Sequence, residues 1–314
     1  MSKKIQTATK KTQIVAIDLG NFNVKTSNGE IFEAKWSLKC DKLLSEVAKD
    51  KIKTVEYEGK KYYIGQGDFD THSEKSTKDT LPLFLYALSK LVKSNAQDVR
   101  VVVGLPISQL GLKDNLIKKF TGSFSFTADG TKRTVTVSEV RVFPECVGAN
   151  YSIPDSVPLD YILLDLGGLS ANKALFHGGE YAGSDTTPTG ILNIIQEMAN
   201  AINSDHGTKL NTAQMYQKLK DNRLWTAKSG DIDLDAYREA YFMPYVKEVM
   251  DSLEDIEGLN TPIYVLGGAV EMLRPYIDKY LKANPNRYKV FFLEDGIYYN
   301  VRGFLEVGKL TWNK

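Results

Sequence analysis

The sequence predicts an α/β fold of two similar lobes that face each other across a cleft. Three observations support this prediction. The chain of 314 residues is longer than one typical domain. Short apolar strands alternate with helical segments along its length. One pattern occurs twice, at Asp18 and at Asp165: an apolar strand that runs into Asp-Leu-Gly, a small polar loop and a second strand.

The two aspartates lie about 150 residues apart, which is the size of a domain. An internal duplication explains the repeat most simply. Each lobe is then a sheet flanked by helices, with its aspartate at a strand end that faces the cleft. Lobe I is predicted to comprise residues 13–155, with a C-terminal helix at 304–314 packing back on it. Lobe II comprises residues 156–303 and includes a helical subdomain at about 191–258.

In the first half, the apolar run Ile14–Ile17 predicts the opening strand. The pair Asn28-Gly29 lies between two extended stretches and predicts a hairpin turn. Further hairpins are predicted around Glu58-Gly59 and Asp129-Gly130. The other predicted elements are a helix at 81–92 that tolerates a proline near its start, a buried strand at 99–106, a helix at 112–120 and a strand ending at Pro144.

The second half repeats this organisation. Residues 161–184 predict three strands joined by turns, and three helices are expected at 191–203, 212–224 and 234–253. The stretch TPIYVLGGAVEMLRPYIDKYL then predicts a strand, a double glycine and an amphipathic helix. The last segment predicts a strand followed by a short helix.

The composition limits the classes of function. A hydrophobic content of 42% and a charged content of 25% are typical of soluble globular proteins. The net charge of +1 argues against broad, direct binding of nucleic acid, which requires many cations to neutralise phosphates. No apolar run approaches the roughly 18 residues that would cross a membrane. The basic, polar residues 1–12 are expected to form a flexible tail.

Cysteine and histidine give no sign of a metal centre. The two cysteines, Cys40 and Cys146, form no CxxC pair, and the three histidines are scattered at His72, His177 and His206. A structural or surface role is expected for all of them. A reducing cytoplasm is therefore the expected compartment.

The strand ends carry residues suited to a phosphate chain. A glycine such as Gly20 lets a ligand come close to the backbone and leaves amide groups pointing outward. These amides and Lys25 favour an anion. A carboxylate repels phosphate oxygens, so Asp18 and Asp165 require a cation between themselves and the phosphates. Mg²⁺ suits this position because it is commonly bound by one or two carboxylates, several waters and substrate phosphates.

Each of these signals also has a structural explanation. Asp18 can cap a turn, and a strand that ends in a glycine turn is common in proteins. The pair Gly267-Gly268 follows a strand and opens a helix, which suits close approach of a nucleotide but also suits helix packing. The three signals together, in this order and with Lys25 in the first loop, favour a nucleotide site.

With these loops the sequence resembles the actin superfamily, which includes sugar kinases and heat-shock chaperones, and within it the bacterial ParM-like plasmid-segregation filaments. The resemblance implies an actin-like (RNase H-like) duplicated fold around a nucleotide cleft. It implies three groups of nucleotide-binding residues: Gly20, Asn21, Asn23 and Lys25 in the first phosphate loop; Gly167, Gly168 and Ser170, with Gly190, in the second; and Gly267, Gly268, Ala269 and Glu271 in the adenosine loop. It also implies that Asp18 and Asp165 bind the metal and take part in catalysis.

The stretch VFPECVGANY (142–151) resembles the ParM-type connecting segment with its Pro-Glu pair. The resemblance implies that Glu145 orients the water that attacks the terminal phosphate, and a carboxylate beside a magnesium-phosphate site is suited to that task. The alternative is that Glu145 is a helix-start carboxylate favoured by the helix dipole. The stretch YNVRGFLEVG resembles the second connecting segment, so the resemblance extends from Gln13 over nearly the whole chain.

The sequence departs from its relatives at two places. The second phosphate loop of relatives often continues with two threonines and an aspartate, whereas this chain has Leu169-Ser170-Ala171-Asn172. Ser170 replaces only part of those groups, so the contacts to the β- and γ-phosphates are expected to differ. Ala269 stands where many relatives have a glycine or threonine, and it adds only a methyl group near the nucleotide.

The resemblance implies an ATPase that polymerises on binding ATP and Mg²⁺ and disassembles after hydrolysis, and that segregates plasmid DNA through a DNA-binding adaptor protein. The small net charge agrees with indirect contact with DNA. The alternative is a small-molecule kinase of the same fold, acting on a sugar or acetate. A kinase would need a general base at an acceptor pocket, and the sequence places no second carboxylate there. The sequence does not decide between ATP and GTP.

Overall fold

The structure is a computed structural model that describes residues 12–40, 52–254 and 261–313. The predicted N-terminal tail, apart from its last residue, lies outside the described residues. So does the end of the predicted helical subdomain, beyond residue 254. Within the described residues, the strands form a nine-stranded sheet, a five-stranded sheet and a small two-stranded sheet. In these residues, no helix combines the length and the apolar character that crossing a bilayer requires.

The first half of the chain builds the nine-stranded sheet and the helices around it. Its strands are β1 (Gln13–Leu19), β2 (Asn23–Thr26), β3 (Ile31–Glu33), β4 (Trp36–Ser37), β5 (Lys53–Tyr57), β6 (Lys60–Ile64), β7 (Val99–Leu105), β8 (Gly122–Ala128) and β9 (Thr131–Pro144). Its helices are α1 (Leu81–Leu91), α2 (Lys113–Phe120) and short 3₁₀ helices at Ile107–Leu112 and Gly148–Ser152. The three predicted hairpins are confirmed, since β2 pairs with β3, β5 with β6 and β8 with β9, all antiparallel.

The second half of the chain builds the five-stranded sheet, the small two-stranded sheet and the helices around them. Its strands are β10 (Tyr161–Leu166), β11 (Ala171–His177), β12 (Glu180–Thr187), β13 (Trp225–Thr226), β14 (Gly230–Asp231), β15 (Ile263–Leu266) and β16 (Val290–Phe292). Its helices are α3 (Ile191–His206), α4 (Thr212–Asp221), α5 (Leu234–Asp251), α6 (Val270–Ala283), a 3₁₀ turn at Gly296–Tyr298 and α7 (Tyr299–Trp312). Strands β13 and β14 form the separate two-stranded sheet.

The two main sheets share one topology. Five strands of the first follow the order β3-β2-β1-β7-β9, and the second follows the order β12-β11-β10-β15-β16. In both, the opening strand pairs antiparallel with the next strand and parallel with a later one. The register is also shared, because Asp18 lies opposite Lys25 and Asp165 lies opposite Asn172. The repeat seen in the sequence is therefore a repeat of topology, and the first sheet is extended by β8-β5-β6-β4.

Each main sheet has its own apolar core. Helix α3 shows how the sequence pattern produces the second one. Its buried residues recur at helical spacing and belong to the same apolar core as residues of β10 and β15: Ile191, Ile194, Ile195, Met198 and Ile202. Helix α1 contributes to the core of the first sheet through a continuous run of buried residues, Leu83–Leu88.

The C-terminal helix returns to the first sheet. Helix α7 begins at Tyr299, five residues before the predicted start at residue 304, because the 3₁₀ turn at Gly296–Tyr298 leads directly into it. Phe304 of this helix is fully buried against Ala16 of β1 and Val102 of β7. The chain of the second half thus crosses back to the first sheet. The predicted lobe boundary at residues 155 and 156 stays a prediction.

Candidate functional site

The ends of β1 and β10 meet at one cavity between the two main sheets. The cavity is narrow in this structure, with about 40 Å³ open to the centres of water molecules. Most residues predicted from the sequence line it. The lining residues are Asp18, Gly20, Asn21, Phe22, Asn23, Lys25, Glu145, Asp165, Gly167, Gly168, Ser170, Asn172, Gly267, Gly268, Ile297 and Asn300.

Three of the predicted residues do not line this cavity. Gly190 lies directly behind the second loop, where a Cβ atom would come within 2.5 Å of the carbonyl oxygen of Gly168. Ala269 is buried and donates its N–H to the carbonyl of Leu166 at 3.0 Å. Glu271 is exposed in the first turn of α6. Gly190 can therefore support the second loop, and the roles predicted for these three residues stay predictions.

In the first loop, Asp18 and Lys25 form a buried ion pair. The β1–β2 register places them opposite each other, and Lys25 Nζ lies 2.9 Å from Asp18 Oδ2. Burial opposes the charge of Lys25, but Asp18, Asp165 and Glu145 outweigh it and raise the pKa of Lys25 above its ordinary value. Gly20 is required here, since a Cβ atom would lie 2.6 Å from the carbonyl oxygen of Asn23. Lys25 is thus a charged cation that an anionic ligand would meet.

Asp165 is the equivalent carboxylate of the second sheet, and its surroundings are more acidic. Burial, followed by the nearby Glu145, raises the pKa of Asp165 to about 6. Asn300 and Lys25 oppose this shift, and Asp18 adds to it. Gly267 packs so tightly beside Asp165 that a Cβ atom would lie 2.4 Å from Oδ1. The cavity therefore concentrates carboxylates that a bound cation would stabilise.

These residues fit a hydrated divalent ion better than a fully protein-bound one. In the part of the chain that the structure describes, no group of three or more His, Cys, Asp and Glu side chains is arranged to hold a metal. Two carboxylates on one cavity, Asp18 and Asp165, are nevertheless sufficient for Mg²⁺ when phosphates and waters complete its coordination. The chemistry of the donor set thus agrees with the predicted metal.

The raised pKa of Asp165 predicts a pH-dependent stability. The folded state holds this proton more tightly than the unfolded state, so the free energy of unfolding falls as pH rises from about 4 to about 6. Asp165→Asn removes this ionisation. Without nucleotide, we expect the variant to gain on the order of 2 kcal/mol relative to wild type between pH 4 and pH 7, measured by urea unfolding.

Asp185→Asn is the matched control for this measurement. The hydrogen bond from Lys173 lowers the pKa of Asp185, so its stabilising effect is present at pH 7 and is lost as pH falls through that pKa. Asp185→Asn should therefore lose stability relative to wild type at pH 7 and recover it in acid. An Asp165→Asn variant that behaves in the same way would contradict the interpretation of Asp165.

Glu145 occupies a tight turn that is tied to Asp165. Its N–H donates to the carbonyl of Leu105 at 2.8 Å, and the next residue, Cys146, has a left-handed φ of 64°. Such strained backbone is often found at functional sites. The Cys146 N–H donates to Asn300 Oδ1 at 2.9 Å, and Asn300 Nδ2 donates to Asp165 Oδ2 at 2.7 Å. Asn300 of α7 thus connects the Glu145 turn to the second sheet.

Sequence reasoning missed Asn300 and two buried lysines of the loop at 71–80. Lys75 forms an ion pair with Glu145, and Lys78 Nζ donates to Asn21 Oδ1 at 2.7 Å. Burial lowers the pKa of Lys78 to about 8. This loop is polar and has no apolar periodicity, so its pattern shows no sign of residues that point inward. Asn300 lies in a segment that the sequence marked only as a connection.

Aromatic residues join the lobes beside the cavity. Phe22 of the first loop contacts Tyr216 of α4, with ring centroids 4.6 Å apart, and Phe69, at 5.3 Å. Asp68 Oδ1 accepts the N–H of Ala213 in the first turn of α4 at 2.9 Å. These contacts connect the first sheet's loops to the helices of the second half on one side of the cavity.

The repeated sheet topology and the paired strand-end loops define a protein of the actin-like fold. Residues 16–148 match the family model described as the N-terminal domain of actin-like proteins. The resemblance stated from the sequence is therefore confirmed for the fold. Comparison with curated protein sequences finds no match.

Solved structures agree over nearly the whole chain. A non-polymerisable quadruple mutant of pCBH ParM has a TM-score of 0.74 at 19% identity, covering 96% of this chain and 100% of the other. A 15-stranded ParM filament from Clostridium botulinum has a TM-score of 0.72 at 21% identity, with 96% and 100% coverage. The archaeal actin homologue Ta0583 in complex with ADP has a TM-score of 0.70 at 15% identity, with 95% and 100% coverage. At these identities the likeness establishes the fold.

Proposed function

We propose that the protein is an actin-like ATPase that polymerises into filaments when it binds ATP and Mg²⁺, and whose filaments disassemble after hydrolysis. One observation carries the proposal. Carboxylates from both sheets, the Asp18–Lys25 pair and glycine-rich loops converge on one cavity. The structural likeness to filament-forming and ADP-bound proteins of this fold supports it.

The nucleotide phosphates are held by the two loops that face each other across the cavity. In the proposal, the first loop acts through Gly20, Asn21, Asn23 and Lys25, and the second through Gly167, Gly168 and Ser170. Asp18 and Asp165 would hold a hydrated Mg²⁺, which would supply positive charge to neutralise the phosphates. Gly267 and Gly268 allow the nucleoside to approach the backbone.

Hydrolysis requires a water placed in line with the terminal phosphate. Its oxygen forms a bond to the terminal phosphorus while the bond from that phosphorus to the bridging oxygen breaks. The products are a nucleoside diphosphate and inorganic phosphate, and the proton released by the water ends on the phosphate. Glu145 orients this water, since it lies in the cavity next to Asp165.

Binding and assembly are coupled through the angle between the lobes. Because both lobes supply phosphate-binding groups, bound nucleotide favours the closed cleft. The contacts of Phe22 with Tyr216 and Phe69 extend this coupling beyond the cavity. Filament growth then requires head-to-tail surfaces that do not close into a ring. We further propose that the cargo is plasmid DNA bound through an adaptor protein, as the likeness to ParM and the net charge of +1 suggest.

Light scattering with parallel phosphate release tests this function. Purified protein is mixed with ATP–Mg²⁺, GTP–Mg²⁺, ADP–Mg²⁺ or ATP with EDTA. We expect scattering to rise with a triphosphate and Mg²⁺ and to decay as phosphate appears, because hydrolysis weakens the closed cleft.

The controls decide between the two candidate functions. EDTA should abolish the rise in scattering, and the nucleotide that gives the larger rise identifies the preferred base. Flat scattering at all protein concentrations, with nucleotide still bound, would contradict the filament and favour a small-molecule kinase. The next step would then be a screen for phosphoryl acceptors.

A further inference from the structure

Lys75 and Glu145 form a buried ion pair at the edge of the cavity. The side chain of Lys75 is 2% exposed and that of Glu145 is 11% exposed, and Lys75 Nζ donates to Glu145 Oε1. The two residues lie 70 positions apart in the chain. Removing two charges from water costs more than such a pair usually returns in stability. Its place beside the cavity therefore points to a role in the site.

The end of β7 anchors both partners. The carbonyl of Leu105, its last residue, accepts the N–H of Glu145 at 2.8 Å. Gln109, in the 3₁₀ helix that follows, accepts the N–H of Lys75 through Oε1 at 2.8 Å. The same side chain donates through Nε2 to the carbonyl of Ser73 at 2.8 Å. One strand end thus sets the positions of both backbones.

Helix α2 braces the same loop from a second direction. Lys119 Nζ donates to the carbonyl of Ser76 at 2.9 Å and to the carbonyl of Lys78 at 2.7 Å. Lys75 therefore projects inward from a loop whose backbone is held by side chains on both sides. A residue held in this way can hold its own partner in one orientation.

Other charged groups around Glu145 do not replace this contact. Asp165 repels its carboxylate, and the charges of Lys25 and Lys78 attract it. Lys25 is already bonded to Asp18, and Lys78 is bonded to Asn21 and to the carbonyl of Asp70. Among the residues that the structure describes, the ammonium group in direct contact with Glu145 is that of Lys75.

We infer that Lys75 is the positioning residue for Glu145 in nucleotide hydrolysis, and this inference rests on the proposed function. The ammonium group holds Oε1 against the repulsion of Asp165, and Oε2 is the oxygen that orients the attacking water. Lys75 acts through Glu145 and does not itself touch the reacting atoms. Gln109 supports this role by holding the backbone of Lys75.

The inference is tested by measuring steady-state hydrolysis and nucleotide binding of four variants. They are Lys75→Met, Lys75→Arg, Glu145→Gln and the double variant Lys75→Met/Glu145→Gln. We expect Lys75→Met to lower the hydrolysis rate at saturating nucleotide by about tenfold or more, with the nucleotide Kd changed less than about threefold. Lys75→Arg should restore part of the rate. In the Glu145→Gln background, Lys75→Met should cause no further loss, because both changes remove the same function.

Lys173→Met is the matched control. Lys173 is also fully buried and pairs with a carboxylate, that of Asp185, but it does not line the cavity. It should lose stability without losing the hydrolysis rate per folded molecule. If Lys75→Met fails to fold, Gln109→Ala, which leaves the ion pair intact, should lower the rate by a smaller factor at unchanged nucleotide Kd.

Three results would overturn the inference. Lys75→Met could hydrolyse at the wild-type rate, it could weaken triphosphate binding without slowing hydrolysis, or its effect could add fully to that of Glu145→Gln. Failure of the proposed function can be told apart from failure of this inference. If the wild-type protein hydrolyses neither ATP nor GTP, the proposed function itself is refuted.

Discussion

Replacing Glu145 with glutamine is expected to slow nucleotide hydrolysis by about 10²–10⁴-fold, with binding retained. Glutamine keeps the size of the side chain and offers an oxygen to the buried Lys75, so the loop geometry is preserved. It lacks the negative charge that orients water. Phosphate release after rapid mixing with ATP–Mg²⁺ measures the rate, and light scattering should show polymer that persists longer than the wild-type polymer.

Glu139→Gln is the control, because Glu139 lies on β9, the strand that leads into the Glu145 turn, but is exposed. It should leave the rate unchanged. Alanine at position 145 is also expected to slow hydrolysis. It leaves Lys75 buried without its partner, however, so a loss of stability would accompany the loss of hydrolysis rate. Normal phosphate release from Glu145→Gln would remove Glu145 from the mechanism. That result would support a purely structural role for Glu145 at the start of the following turn.

Replacing Gly303 with alanine is expected to destabilise the protein by about 2–3 kcal/mol. A Cβ atom at Gly303 would lie 1.9 Å from the carbonyl oxygen of Gly148, so α7 must move away from the 3₁₀ helix at Gly148–Ser152. Urea unfolding measures the loss. Nucleotide affinity should fall as well, because Asn300 lies one turn earlier on α7 and holds Asp165.

Gly111→Ala is the control for this substitution. A Cβ atom at Gly111 would point into open space, so alanine there should change stability by less than about 0.5 kcal/mol. A Gly303→Ala protein with the unfolding free energy of wild type would show that α7 can shift freely. In that case the link from α7 through Asn300 to the cavity would carry little of the site's geometry.

The two halves share a topology but differ in charge at equivalent positions. Asp18 lies opposite Lys25, which neutralises it, whereas Asp165 lies opposite the uncharged Asn172. Asn172 accepts a hydrogen bond from Thr186 at 3.1 Å and faces Ser170. The first lobe thus supplies a cation and the second supplies amide and hydroxyl groups. This asymmetry fits a ligand whose negative charge is neutralised mainly from the side of the first lobe.

The strands, the hairpins and the repeat that joins them could be predicted from the sequence. Apolar runs and turn pairs such as Asn28-Gly29 act locally, so their pattern is readable along the chain. Asp18 and Asp165 could be placed in one site because both end central strands of repeated topology. Local signals also placed the glycines of the loops, where the backbone turns after each strand.

The distant polar residues that support the site were identified only from the folded chain. Lys75 reaches Glu145 across 70 residues, and Asn300 reaches Asp165 across 135. Lys75 stands in a polar loop without apolar periodicity, and Asn300 stands in the first turn of α7. The packing of β7, α2 and α7 brings each of them to its buried partner. A charged side chain in a loop is usually solvated, so the sequence offers no sign that it is buried. The physical reason is that ion pairs and hydrogen bonds depend on three-dimensional proximity, whereas strand and turn preferences depend on neighbours in the chain.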